Sequence, residues 1–215
     1  MALIFLFAFN KVLKIPIEDY TYFLICGLFP WQWFANSLLV STNVLISNAT
    51  LIKKLAFPRY IIPLAAVLND TTHFILSVPI VIIFSIYYDH FPSFSWLYGI
   101  SILLISQFLL TFGLCLFISS LNLFFRDLER IVSIGLTILF YGTPIFYNSS
   151  FVPEKYRFLL IINPLSGIIE NWRNIFMKNF IDFSTFWINF FYSLIIFVVG
   201  IIVFSKLSDR FAEVI

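Results

Sequence analysis

Few side chains in this sequence can do chemistry, and their spacing narrows what that chemistry is. In "NDTTH" (69–73), Asp70 and His73 are three apart and share one face of a helix. A carboxylate and an imidazole inside an apolar run are the equipment of a proton relay, or of a hydrogen-bonded pair that holds a bundle together. The second histidine, His90, lies in the polar break "YYDHFPSFSW" (87–96) and suggests no catalytic pairing. Glu170 and Arg173 have the same spacing and can pair on one helix face, as a salt bridge at a helix end or as a closure. Lys53, Lys54 and Arg59 cluster in "NATLIKKLAFPRYIIP" (48–63). There is no G-x-x-x-x-G-K-[ST] run, so the chain cannot cradle nucleotide phosphates with a P-loop. Cys26 and Cys115 sit in apolar segments expected near opposite membrane faces, which argues against a disulfide or a metal site.

The elements that must hold these groups are apolar helices. Of 215 residues, 61% are hydrophobic, 11% are charged and 29 are phenylalanine. A soluble domain carries roughly a quarter charged residues. A buried core cannot absorb uninterrupted apolar runs of about 18 residues or more, whereas a membrane can. The fold class is therefore all-α and polytopic in the membrane. Spans are expected at about 22–47, 61–88, 97–123, 131–147 and 184–205, and residues 1–12 read as the outer half of a first span. No cleavable signal stands at the start. The span at 131–147 is barely long enough. Between 148 and 183 the apolar pieces are short and broken by Pro153, Pro164 and charges. They predict two short helices, near 154–162 and 165–176, that dip in and out on one side. Non-helical backbone at membrane depth is tolerated only inside protein or against a wet cavity, so such a pair hints at a pathway; a surface amphipathic hairpin is the alternative.

Loop charges orient the chain. One side takes Lys53, Lys54, Arg59, Arg126, Arg130, Lys206 and Arg210, whereas the short loops of the other carry Lys11 and Lys14 beside Glu18 and Asp19. The positive-inside rule is read from short loops, and it makes the first side cytoplasmic. All five tryptophans, at 31, 33, 96, 172 and 187, then fall near the outer face. They read as an interfacial anchoring belt, or as stacking platforms for sugar rings.

A Lys or Arg at mid-membrane costs about 2.5–3.5 kcal/mol, so "NATLIKKLAFPRY" lies outside the hydrocarbon. Leu51 and Leu55 share a helix face, Asn48 or Thr50 can cap its start, and Pro58 disfavours a helical Phe57 and ends it. The segment is a short amphipathic helix with basic flanks. It is suited to anionic headgroups or to another protein's groove.

Here a resemblance becomes specific. "NATLIKKLAFPRYIIPLAAVLND" resembles the cytoplasmic coupling segment of bacterial polysaccharide-export ABC permeases of the type-2 exporter family, which move O-antigen, capsule or teichoic-acid chains. "LNLFFRDLERIV" (121–132) is similar to that family's second cytoplasmic turn, and "TPIFYNSSFVPEKYRFLLIINPLSGIIENWRNIF" (143–176) to its outer gate. "GLFPWQWF" (27–34) and "FSKLSDRFAEVI" (204–215) resemble the start of its second span and its C-terminal signature. Members carry a cytoplasmic amphipathic helix before the first span, whereas this sequence begins within that span.

The resemblance implies a six-span permease domain covering 1–215, with coupling segment 48–60 and outer segment 148–183. It implies a bacterial cytoplasmic (inner) membrane location and both termini of the complete chain in the cytoplasm. It also implies pairing with a second copy and with two copies of a separate P-loop ATPase. The chain itself would bind no cofactor, because ATP and Mg sit on that ATPase. A lipid-linked glycan is the implied substrate, and no nucleic acid is involved. Leu51, Lys53, Lys54, Phe57, Pro58 and Arg59 would seat on the ATPase, with Arg126 and Asp127 as a second contact or an internal pair. Pro144, Pro153, Asn163 and Pro164 would shape the outer helices, with Glu170 and Arg173 closing the gate. The rival readings are a permease for a small lipid or drug, a proton-coupled carrier using Asp70 and His73, and a membrane-embedded glycan enzyme. For the last, Glu154, Lys155 and Arg157 are too sparse.

Overall fold

The computed structural model describes residues 17–54 and 57–211, all helical or irregular. The half-span expected at 1–12 lies outside the described residues. Among the described residues, four helices are long and apolar enough to cross a membrane. They are α1 (Tyr20–Ser47), α3 (Ile61–Tyr87), α4 (Ser95–Asn122) and α8 (Phe183–Ser208). At 26 to 28 residues each, they are about 40 Å long against a hydrocarbon core of about 30 Å. Between them lie α2 (Ala49–Lys54), α5 (Leu128–Gly142), α6 (Arg157–Ile162) and α7 (Pro164–Lys178). Two 3-10 turns, Ser149–Phe151 and Glu154–Tyr156, precede α6.

Burial sorts the long helices. Within the most apolar stretch, 67% of α1 is buried and 50% of α4, against 22% for both α3 and α8. The last two turn Leu76, Ile80, Ile83, Ile195 and Ile202 outward, which is stable only against lipid or another apolar surface. The same holds for Ile131, Ile134 and Ile138, a stripe along α5.

Within one expected span the helix is shorter than expected. The helix expected over 131–147 is α5, which has 15 residues and stops at Gly142. That is about 22 Å, short of the hydrocarbon thickness. The stop is local: Pro144 disfavours a helical Thr143, so the apolar residues beyond it continue as a bend.

The chain divides into two compact units. Met1–Gln32, Phe74–Leu104 and Phe140–Asn189 form the first, and Trp33–His73, Ile105–Leu139 and Phe190–Ile215 form the second. The first contains α6 and α7 with ends of the long helices. It is dense in rings: Trp172 stacks on Phe176 at 5.4 Å and meets the edge of Phe74 at 5.0 Å, and Trp96 meets Phe176 at 5.0 Å. The second contains α2, most of α5 and the other ends. There α4 and α8 cross in backbone contact at two glycines. A Cβ on Gly113 would sit 2.7 Å from the Phe197 nitrogen, and one on Gly200 would overlap the Gly113 carbonyl. Small residues allow this approach, and lipid supplies no hydrophobic drive to replace the contact.

Gly200→Val, which must push backbone aside, is expected to destabilise the protein by about 1–3 kcal/mol. Thermal unfolding in detergent reads the loss, and Gly135→Ala, with open space around it, serves as the control that stays within about 0.5 kcal/mol.

Candidate functional site

The hairpin α6–α7 follows from its sequence. At its centre Asn163 is extended, ends α6 and caps α7, with Oδ1 accepting from the Leu165 nitrogen at 3.0 Å. Pro164 takes the first helical position, where a missing N–H is harmless. Asn163 Nδ2 donates to Thr143 Oγ1 at 2.9 Å, which ties the hairpin to the bend after α5. At the other end of α7, Asn179 is left-handed with φ 59°, the conformation Asn adopts at a helix terminus. It accepts from Trp96 Nε1 at 2.7 Å and donates to the Phe91 carbonyl at 3.1 Å. Both ends of α7 are thus held by side chains. Asn171 closes the turn to α8, donating to Gly167 O and Thr185 Oγ1 and accepting from the Asp182 nitrogen. Asp182 then caps α8, accepting from both Ser184 Oγ and Ser184 N. Those bonds, the hydroxyl first, hold its carboxyl below the ordinary value.

Arg173 is the centre of the arrangement. It is 7% exposed, and its guanidinium carbon lies 3.6 Å from the centre of the Phe23 ring. Its Nη2 donates to the carbonyls of Pro144 at 2.8 Å and Ile145 at 3.0 Å. The bend that Pro144 creates has carbonyls that no helix answers, and the arginine answers them. Tyr20 Oη adds a third anchor, donating to the Phe146 carbonyl at 3.1 Å. Gly27 gives the guanidinium its space: a Cβ there would lie 2.9 Å from Nη2. A buried charge is tolerable when ring and carbonyl dipoles replace water.

The expected Glu170–Arg173 pair is corrected. Among the described residues, ion pairs join His90 to Asp19 at 3.1 Å and Arg157 to Glu154 at 3.9 Å, and none joins Arg173 to Glu170. Arg173 lies on the buried face of α7 with Ile169, Trp172 and Phe176, while Glu170 sits at its half-exposed edge. Pro144 is buried in the bend and Pro153 is exposed before the second 3-10 turn. The tryptophans depart from both expectations: Trp31, Trp33, Trp96 and Trp172 are buried and only Trp187 is exposed, so four of the five offer neither lipid anchors nor open faces for sugar rings.

In the second unit, α2 buries Ile52 and leaves Leu51, Lys53 and Lys54 exposed. The face is one residue away from the expected Leu51 face. Asn48 does not cap with its side chain, whose Nδ2 donates back to the Val44 carbonyl; its own carbonyl accepts from Leu51 and Ile52. Phe57, Pro58 and Arg59 line a cleft of about 260 Å³ with Phe204, Ser208 and Asp209. Arg126 and Asp127 are exposed, form no ion pair within 4.0 Å among the described residues, and line a cleft of about 450 Å³. Asp70 accepts from Ser37 Oγ at 2.9 Å rather than pairing with His73, whose side chain is exposed. Both cysteines are buried and free.

Comparison with known proteins decides the family, because residues 1–177 match the ABC-2 type transporter family. This chain belongs to that family. Two proteins of Klebsiella pneumoniae named O-antigen export system permease protein RfbA are each 45% identical to it over 214 residues, covering 100% of this chain and 83% of the relative. A protein of the same name from Myxococcus xanthus is 27% identical over 179 residues, covering 82% of this chain and 68% of the relative. An ABC-2 permease is a transporter component rather than an enzyme, and its ABC system implies an ATPase partner.

In this ABC-2 permease several residues that build the hairpin were invisible as site residues: Phe23, Gly27, Thr143, Asn171 and Asn179. An isolated glycine in an apolar run, Gly27, was the available signal, since a glycine there marks a close approach. The others are ordinary residue types whose partners are distant in the chain.

Arg173→Gln leaves buried carbonyls unanswered and is expected to cost about 3 kcal/mol. Gly27→Ala should cost about 1–3 kcal/mol by displacing the guanidinium, whereas Glu170→Gln should stay within about 0.5 kcal/mol. Unfolding in detergent ranks the three, and maleimide labelling of Ile145→Cys should accelerate in the first two only.

Proposed function

We propose that the chain is the permease subunit of an ATP-driven exporter that moves lipid-linked polysaccharide of the O-antigen kind across the bacterial cytoplasmic membrane. The observation that carries this is identity of 45% over 214 residues to permeases named for O-antigen export. In this reading the complete protein crosses the membrane six times, counting α5 with its bend as one crossing and the segment before Tyr20 as another. The side bearing Lys53, Lys54, Arg126 and Lys206 is cytoplasmic, in keeping with the cation bias of its short loops.

Two copies pair, and each receives an ATPase carrying ATP and Mg. The exposed Leu51, Lys53 and Lys54 of α2, with Phe57 beside them, supply an apolar contact and a basic rim suited to a groove with acidic edges. Pro144, Pro153, Asn163, Pro164 and Arg173 shape the outer hairpin, and tightening of the ATPase pair opens a passage past it. A polymer needs a continuous wall and few tight sites. The hairpin fits that need because its one buried cation, Arg173, is turned inward onto the Pro144 and Ile145 carbonyls and the Phe23 ring instead of toward a sugar chain. Asp70, held by Ser37, serves helix packing in this scheme.

The test is purification of the tagged chain in mild detergent with mass spectrometry of what accompanies it. A P-loop ATPase is expected with the wild type and is expected to be lost with Lys53→Glu/Lys54→Glu. Cells lacking the gene should lose long-chain surface polysaccharide. Retention of that polysaccharide in the deletion strain would overturn the substrate class.

A further inference from the structure

Arg59 differs from its neighbours Lys53 and Lys54. Those two are exposed on a helix of one and a half turns, free to meet a partner or headgroups. Arg59 is half-buried and turned back onto its own chain. Its Nη1 donates to the carbonyl of Ser208, the last residue of α8. Its guanidinium carbon is 6.0 Å from the centre of the Phe211 ring, and Phe211 is fully buried against Phe204 at 5.2 Å. The chemistry suits the place. The last four carbonyls of a helix lack partners and carry the negative end of its dipole, so a cation with planar donors is the group that stabilises them. Pro58, immediately before it, restricts the backbone that aims the side chain.

We propose that Arg59 is a positioning residue that fastens the α2–α3 connection to the C-terminal end of α8, and not one of the cations that contact the ATPase. The proposal rests on the exporter reading above. It gives that reading a direct link: a push received on α2 reaches α8, whose other end begins at Phe183, next to the Asn171–Asp182 closure of the hairpin. Lys53 and Lys54 hold the partner, and Arg59 passes the displacement on. The donor is fixed in place by Phe211, so loss of the ring should mimic loss of the arginine.

Two measurements test it. In the first, the tagged full chain is co-expressed with its ATPase as wild type, Arg59→Ala, Arg59→Lys, Phe211→Ala and Lys53→Glu/Lys54→Glu. Recovered ATPase and surface polysaccharide are then compared. Arg59→Ala and Phe211→Ala are expected to keep ATPase recovery within about twofold while export falls about tenfold or more, with Arg59→Lys intermediate because its single ammonium lacks the planar fork. Lys53→Glu/Lys54→Glu should lose the ATPase itself. Loss of the ATPase in Arg59→Ala would make Arg59 a docking residue and overturn the proposal, and so would undiminished export. Absence of an ATPase in the wild type would instead overturn the exporter reading. The second measurement stands without a partner. Unfolding midpoints in detergent are taken for Arg59→Ala, Phe211→Ala and the double variant. The double is expected to fall no further than the worse single, since contacting residues couple. Additive losses would overturn the clamp.

Discussion

Backbone polar groups at membrane depth must find partners inside the protein, and the architecture follows from how each is answered. Four long helices answer nearly all of theirs internally. The difficulty arises where the helix stops, at Gly142, because Thr143–Pro144 cannot continue it and the chain beyond carries carbonyls that no helix turn satisfies. Arg173 donates to two of them, Tyr20 to a third, and Asn163 reaches the Thr143 hydroxyl. The hairpin α6–α7 is therefore placed by an irregular bend rather than by a neighbouring helix face. A bend held by a few strong donors has one preferred arrangement, and a switch can be built on that.

The two inward-turned arginines solve the same electrostatic problem. Among the described residues, neither Arg59 nor Arg173 forms an ion pair within 4.0 Å; both donate to backbone carbonyls and lie near a phenylalanine ring. A carboxylate partner would be costly to desolvate and would change charge with pH. A carbonyl does neither, and the ring face adds attraction without needing water. The planar fork of arginine can meet two oxygens or an oxygen and a ring at once, which the point charge of lysine cannot. The lysines accordingly stand outside, on α2.

Packing elsewhere is governed by size. With no hydrophobic drive between helices in lipid, the contact at Gly113 and Gly200 depends on backbone approach, and the ring cluster of Trp172, Phe176, Phe74 and Trp96 depends on shape. Trp96 and Trp172 are buried in this cluster, so their rings serve packing rather than an exposed face.

Apolar run length was sufficient to read the helices from sequence. Runs at 22–47, 61–88, 97–123 and 184–205 correspond to helices Tyr20–Ser47, Ile61–Tyr87, Ser95–Asn122 and Phe183–Ser208. The motifs read along the chain pointed to the family that the comparisons show. The end of α5 was misread although Pro144 marked it, because the apolar residues after the proline extended the run. Which face of α2 is buried, Ile52 and not Leu51, depended on where that helix begins after the break at Asn48. The partners of Asp70, Arg59 and Arg173 belonged to tertiary structure alone. Composition and spacing say that a side chain is charged and which neighbours three or four residues away it can reach. Its choice between those neighbours and a distant carbonyl is made by burial. Every residue has a carbonyl, so the acceptor leaves no mark in the sequence, and only the fold decides which carbonyls remain unanswered beside it.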